Sequence, residues 1–229
     1  MKILGIIGGI SWVSTIDYYR AINLGVNERL GETNFAECII YSFNYQDIIS
    51  NHNKGNYEGT RKMLIDASLH LKKSGAKAIV LGANTMHLHA EKVEEAVGLP
   101  VIHIATATAT TIKNKGLKKV GLLGTKFTME MDFFKDKLKE QNIETIIPDN
   151  EDREFVHNTI FDEFGHGIFK DSTKARYLSI MEKLKNQGAK GVILGCTEIP
   201  LLIKDSDTNI PLFNTTLIHS KAAVDFALS

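Results

Sequence analysis

Only two cysteines, Cys38 and Cys196, occur in 229 residues, and they lie in different halves and different motif contexts. A structural disulfide is therefore not expected, and a reducing cytoplasm is the default setting. Charge of one sign is lacking too: 27 Lys and Arg balance 27 Asp and Glu, for a formal net charge of zero. Without a clustered positive surface, nucleic acid is not an expected partner. No apolar run approaches the roughly 20 residues that a membrane span needs. Met1–Gly5 enters a strand-like run at once, so no signal peptide is expected. No low-complexity linker divides the chain. Its length fits one large or two small domains, and 43% hydrophobic residues can form a substantial core without staples.

Several chemical signatures are missing as well. The first turn reads Gly5-Ile6-Ile7-Gly8-Gly9-Ile10, which lacks the G-x-G-x-x-G spacing of dinucleotide sites, and no P-loop lysine follows. His87-Leu88-His89 has no cysteine or carboxylate cluster at ligand spacing, so no metal site is expected. No Ser-His-Asp arrangement stands out. Of the eight histidines, His219, after Asn214-Thr215-Thr216, draws most interest.

What the chain does have is a copy of itself. Gly75-Ala76-Lys77-Ala78-Ile79-Val80-Leu81-Gly82-Ala83-Asn84-Thr85 returns 113 residues later as Gly188-Ala189-Lys190-Gly191-Val192-Ile193-Leu194-Gly195-Cys196-Thr197-Glu198. A second echo pairs Leu4-Gly5-Ile6-Ile7-Gly8-Gly9 with Val120-Gly121-Leu122-Leu123-Gly124-Thr125. Short apolar runs predict strands at Ile3–Ile7, Glu37–Ser42, Ala78–Leu81, Val101–His103, Val120–Leu123, Glu144–Ile147, Val192–Leu194 and Leu212–Phe213. Helical patterns lie between them, as in Arg61–Lys73, where Met63, Leu64, Ala67 and Leu71 recur at helical spacing. Strands alternating with helices imply an α/β fold with parallel sheets. The expected lobes are residues 1–103 plus 213–229, and 104–212.

In open parallel sheets, ligands sit beyond the carboxyl ends of the strands. Both repeated tips are thus candidates for one shared cleft. Cys196 ends an apolar strand and sits beside backbone N–H groups at the start of a turn or helix, which would favour thiolate. Cys38, inside a strand, reads as inert. Asn84, Thr85 and Thr197 offer small polar groups to a carboxylate, and Gly8, Gly9, Ser11, Thr125 and Thr128 offer similar donors. Glu163 fits either a solvated helix face or a site.

Gly8-Gly9-Ile10-Ser11-Trp12, Ser14-Thr15-Ile16-Asp17-Tyr18-Tyr19, Asn84-Thr85-Met86-His87, Gly124-Thr125 and Gly195-Cys196-Thr197-Glu198 together resemble the aspartate/glutamate racemase family. The likeness runs essentially end to end and is closest to the bacterial broad-specificity or L-aspartate/glutamate branch. It implies two Rossmann-like parallel-sheet lobes related by pseudo-twofold symmetry, with the active site in the cleft between them. It also implies no cofactor and a homodimer, with a small acidic amino acid as substrate. Cys196 matches the second-lobe catalytic cysteine; Asn84, Thr85, Thr197 and Glu198 match substrate-binding turns; and Ile10, His52 and Glu163 fall at substrate contacts.

Two positions depart from the family pattern. Asn214 stands where Asp is usual. More consequentially, Ala83 occupies the first-lobe acid/base position, which is Cys in many members and Thr in the close branch. Alanine neither gives nor takes a proton. Water or Thr85 could serve that face, giving slow racemisation. A single thiol could instead run a related reaction, such as a decarboxylation, or the protein could be an inactive binder of small carboxylates.

Overall fold

The computed structural model describes residues 1–229, which form two compact units. The first comprises Met1–His103 and His219–Ser229, the second Ile104–Ile218. In the first unit the chain runs β1 (Leu4–Gly8), α1 (Trp12–Leu30), β2 (Cys38–Ser42), α2 (Tyr45–Asn53), α3 (Tyr57–Lys73) and β3 (Ala78–Leu81). A 3-10 turn (Asn84–His89), α4 (Ala90–Val97) and β4 (Val101–Ile102) follow. The second unit contains α5 (Ile104–Asn114), β5 (Lys119–Gly124), α6 (Lys126–Glu130), α7 (Asp132–Lys139), β6 (Glu144–Ile146) and α8 (Asn150–Asp162). It continues with α9 (Asp171–Asn186), β7 (Val192–Gly195), α10 (Ile199–Leu202) and β8 (Leu212–Asn214). Helix α11 (Thr215–Ala227) starts in the second unit and enters the first at His219.

Each unit holds a four-stranded parallel sheet, in the orders β2-β1-β3-β4 and β6-β5-β7-β8. The identical orders show that the sequence echo is a repeat of topology. β1, β3 and β7 are buried along their whole length, which is why they read as continuous apolar runs rather than alternating ones. Helices supply the covering faces. In α1, Tyr18, Ile22 and Val26 recur every four residues and are fully buried; in α3, Thr60, Leu64, Ala67 and Leu71 recur every three or four residues and are buried too. Asn56 caps α3 by accepting from the Gly59 N–H at 3.0 Å, and Asp149 caps α8 through the Asp152 N–H at 3.0 Å.

One lobe boundary needs correction. The sequence pattern places the return to the first lobe near residue 213, but the crossing is at His219. β8 is the edge strand of the second sheet, with Leu212 beside Val192 and Asn214 beside Leu194. Thr215 Oγ1 then donates to the Leu194 carbonyl at 2.9 Å, fastening the start of α11 to that sheet.

Candidate active site

At the carboxyl edge of the first sheet, β1 and β3 end side by side, with Ile7 opposite Leu81. Gly82 allows this. A Cβ there would lie 2.9 Å from the Ile7 carbonyl oxygen, closer than side-chain carbons approach backbone. Gly9 turns the chain at φ +81°, with the Phe43 backbone where a side chain would be. Thr15 Oγ1 accepts from the Gly9 N–H at 2.8 Å and donates to the Ser11 carbonyl at 3.1 Å. Ser14 Oγ lies 2.9 Å from the Ser11 carbonyl and 3.3 Å from that of Gly82. These hydroxyls bring the turn carrying Ile10 and Ser11 together with the turn carrying Ala83, Asn84 and Thr85. Ile10 and Asn84 are buried, while Ser11, Ala83 and Thr85 are half-buried. Ala83 precedes the 3-10 turn in extended conformation, φ −148° and ψ 139°, and supplies no side-chain cap.

His52 lies in this unit too, close enough for its charge to act on His89 at the end of the 3-10 turn. It sits in the last turn of α2, half-buried, its ring centroid 6.0 Å from that of Tyr57. Burial holds its pKa below the usual histidine value. Burial first, then the charge of Arg61, and then that which His52 carries when protonated, push His89 down to about 4.

In the second unit the same construction recurs. β5 and β7 end in register, Gly124 beside Gly195, and a Cβ on Gly195 would lie 2.8 Å from the Leu123 carbonyl oxygen. Cys196, Thr197 and Glu198 follow, all half-buried. The Cys196 thiol donates to Glu198 Oε2 at 2.9 Å, and Thr197 Oγ1 donates to the same oxygen at 2.7 Å. Thr125 caps α6, accepting from the Thr128 N–H at 3.4 Å, and the two hydroxyls are 3.3 Å apart. Both threonines therefore spend hydrogen-bonding capacity on each other.

The expected thiolate is not what this geometry favours. Burial, and then the Glu198 carboxylate, raise the Cys196 pKa well above the ordinary thiol value. Backbone N–H groups of Glu198 and Thr197 work the other way but are outweighed. The helix that follows, α10, spans only four residues, so its dipole adds little.

Glu163, which follows α8 as its C-cap, is neither bare nor solvated. Its Oε1 pairs with Lys170 Nζ at 2.8 Å and its Oε2 accepts from Thr173 Oγ1 at 2.6 Å. Those two bonds hold its pKa below the ordinary glutamate value. Tyr177 on α9 lies buried nearby in the chain's second unit, its hydroxyl 3.0 Å from Thr159 Oγ1, and burial raises its pKa. Asn214 has a simple role in this chain. Its Oδ1 accepts from the Thr216 and Leu217 N–H groups at 3.1 and 3.3 Å, capping α11, a job that Asp does equally well. No three His, Cys, Asp or Glu side chains are grouped so as to hold a metal ion.

Two repeated turns rich in small polar groups, one carrying a thiol bonded to a carboxylate, accord with the family comparison. The family model for Asp/Glu/Hydantoin racemase matches residues 7–223. The chain belongs to this family. Among racemase-family structures it is similar to a candidate Asp/Glu racemase from Yersinia pestis, with 46% identity, TM-score 0.95 and complete coverage of both chains. It is also similar to an aspartate racemase homologue from Pyrococcus horikoshii OT3, with 37% identity, TM-score 0.87 and complete coverage of both. By sequence it is 25% identical over 174 residues to the broad-specificity amino-acid racemase RacX of Bacillus subtilis, covering 76% of this chain and 75% of that one. The family assignment accounts for the parallel α/β units and their repeat. No helix is long and apolar enough to cross a membrane.

Proposed function

We propose that the protein is a cofactor-independent racemase-type enzyme acting at Cα of aspartate, glutamate or a similar small acidic amino acid, with Cys196 as the acid/base of one face. The observation that carries this reading is the 2.9 Å bond from the Cys196 thiol to Glu198. A Cα proton is weakly acidic and a neutral thiol cannot remove it. Glu198 supplies the missing base: its carboxylate takes the thiol proton, giving a thiolate and a carboxylic acid in place of a thiol and a carboxylate. The thiolate then takes the Cα proton, and the electron pair is delocalised into the substrate carboxylate, which polar donors must hold. Asn84, Thr85, Ser11 and Ile10 on the first turn, and Thr197 with the backbone at Thr125 and Thr128 on the second, are the proposed substrate contacts. His52 and the ionised Glu163 complete the set.

Ala83 marks the altered face. With no thiol or hydroxyl at that position, reprotonation there falls to water or to Thr85, so inversion is slower than proton removal. A second reading rests on the same asymmetry: one thiol and no opposing acid would suit a single-cysteine decarboxylation. The setting that fits a free Cys196 is a reducing cytoplasm. The resemblance adds a homodimer, which sedimentation velocity tests.

Chiral analysis after incubation with each enantiomer of aspartate and glutamate tests the reading, alongside a panel of substituted malonates. Slow inversion of an acidic amino acid, lost in Cys196→Ser, supports the racemase. Loss of CO2 from a malonate without inversion of any amino acid would replace it with the decarboxylase. Tight binding of acidic amino acids without turnover of any substrate would make the protein a binder.

A further inference from the structure

Tyr18, His87, His103 and His219 come together inside the first unit from four separate stretches of chain. Tyr18, His87 and His219 are essentially without solvent exposure. None of them is used in the proton transfers above. Their bonds fix where the hydrogens sit, because a carbonyl oxygen can only accept. His219 Nε2–H donates to the Ile102 carbonyl at 2.5 Å. Its Nδ1 is therefore a lone pair, and the Tyr18 O–H donates to it at 2.8 Å. By the same logic His87 Nδ1–H donates to the Ala83 carbonyl at 3.1 Å. The His87 ring stands edge-to-face against His219, with centroids 5.1 Å apart, and against His103 at 4.9 Å. His103 is the last residue before the chain leaves this unit, and His219 is the first after it returns.

The Ala83 carbonyl also accepts the Met86 N–H at 3.3 Å. Its two partners define the turn that aims Asn84 and Thr85. Ala83 has no side chain with which to cap that turn itself. We propose that His87, locked by His219 and Tyr18, is a positioning residue that sets the Ala83–Thr85 turn for binding the substrate carboxylate. The substrate part of this role rests on the racemase reading; the hold on the turn does not.

Imidazole 15N NMR at neutral pH reads the arrangement directly: His87 protonated on Nδ1, His219 on Nε2. His87→Leu removes the donor, whereas His87→Asn keeps one, since the asparagine amide nitrogen falls near the place of Nδ1. In His87→Leu the Met86 amide is expected to exchange at least tenfold faster. KM for the acidic amino acid should rise at least tenfold while kcat changes less than threefold. His87→Asn should restore both to within about threefold of the parent. Tyr18→Phe should produce a smaller rise in KM with the same unchanged kcat. A His87 proton on Nε2, a parent-like Met86 amide in His87→Leu, or an Asn variant as damaged as the Leu one would overturn the proposal. Should His87→Leu not fold, the tautomer and the Asn variant still decide. If the parent protein handles no acidic amino acid, the racemase reading fails, while amide exchange and the tautomer still decide whether His87 holds the turn.

Discussion

The Cys196 thiol and the Glu198 carboxylate share one proton across 2.9 Å, and Thr197 holds the same carboxylate oxygen at 2.7 Å. The pair has opposing consequences. Glu198 raises the thiol pKa, which disfavours thiolate, yet it also supplies the group to which the proton can move. In Glu198→Gln the two effects separate. Alkylation of Cys196 by iodoacetamide should shift to lower pH, because the charge opposing thiolate is gone. Cα proton exchange should fall by roughly 10²-fold or more, as for loss of a general base. A variant with faster exchange would mean that Glu198 only restrains the thiol.

Position 83 can be refilled. Its extended backbone, φ −148° and ψ 139°, suits a β-branched residue, and a hydroxyl there could cap the 3-10 turn that follows. Ala83→Thr should fold with stability within about 1 kcal/mol of the parent, on the scale of a cap. It should raise the rate of inversion at least tenfold while leaving proton removal by Cys196 near its parent rate. Chiral chromatography of the product checks this. An Ala83→Thr enzyme that inverts no faster would show that the missing group is not what limits the second face.

The central strands and the α/β class were legible because β1, β3 and β7 are buried on both faces and read as unbroken apolar runs. Duplication was legible because Gly82 and Gly195 meet the same constraint, a carbonyl oxygen of the neighbouring strand where a side chain would start. What escaped was contact between distant stretches. Glu163 finds Lys170 and Thr173 across a turn, and His219 meets Tyr18 from 201 residues away. The expected thiolate failed for a local reason. Sequence shows that a helix follows Cys196, but not that it lasts four residues or that a carboxylate turns back onto the sulfur. The return point near residue 213 failed because an edge strand, β8, and the cap of α11 look from sequence like a crossing.

Acid should unfold this chain early. Burial holds His87 down to about 4 and His219 down to about 3; the carbonyls of Ala83, Ile102 and Asn84 oppose it at His87, and that of Ile102 at His219. The charge of His87 lowers His219 further. Tyr18 and His103 are the other titratable groups packed on them. Unfolded histidine titrates near 6.5, so below that pH the unfolded state binds more protons and stability falls as pH falls. The contribution is complete above pH 6.5 and is lost progressively toward pH 4 and 3. At pH 5 the loss is roughly 2 kcal/mol for each of the two, at about 1.4 kcal/mol per pH unit. Depressed carboxylates such as Asp149 and Asp207 add little above pH 5, being ionised in both states. Urea unfolding at pH 7 and pH 5 measures it; His89, also held down to about 4, adds a similar loss, so His87→Asn should remove about a third of the difference. Equal stability at the two pH values would contradict the buried, neutral cluster.

Glycine at the strand ends can be tested by a single methyl. Gly195→Ala places a Cβ 2.8 Å from the Leu123 carbonyl oxygen and 3.1 Å from Thr128 Cγ2, and the backbone oxygen cannot move aside cheaply. Overpacking of this kind costs about 1–3 kcal/mol. For a chain of this size each kcal/mol lowers Tm by about 2–4 °C. Gly82→Ala, at 2.9 Å from the Ile7 oxygen, should lose a similar amount. Calorimetry that finds both variants as stable as the parent would count against the close approach of these strand ends.

The central claim is that Cys196, relayed by Glu198, works one face of Cα while Ala83 leaves the other without its own group. Solvent deuterium wash-in from each pure enantiomer of aspartate and glutamate, followed by proton NMR at early times, reads it most directly. The expected result is Cα deuteration of one enantiomer well ahead of the appearance of its mirror image, abolished by Cys196→Ser. Equal rates of wash-in and inversion from both enantiomers, or wash-in that survives Cys196→Ser, would contradict it.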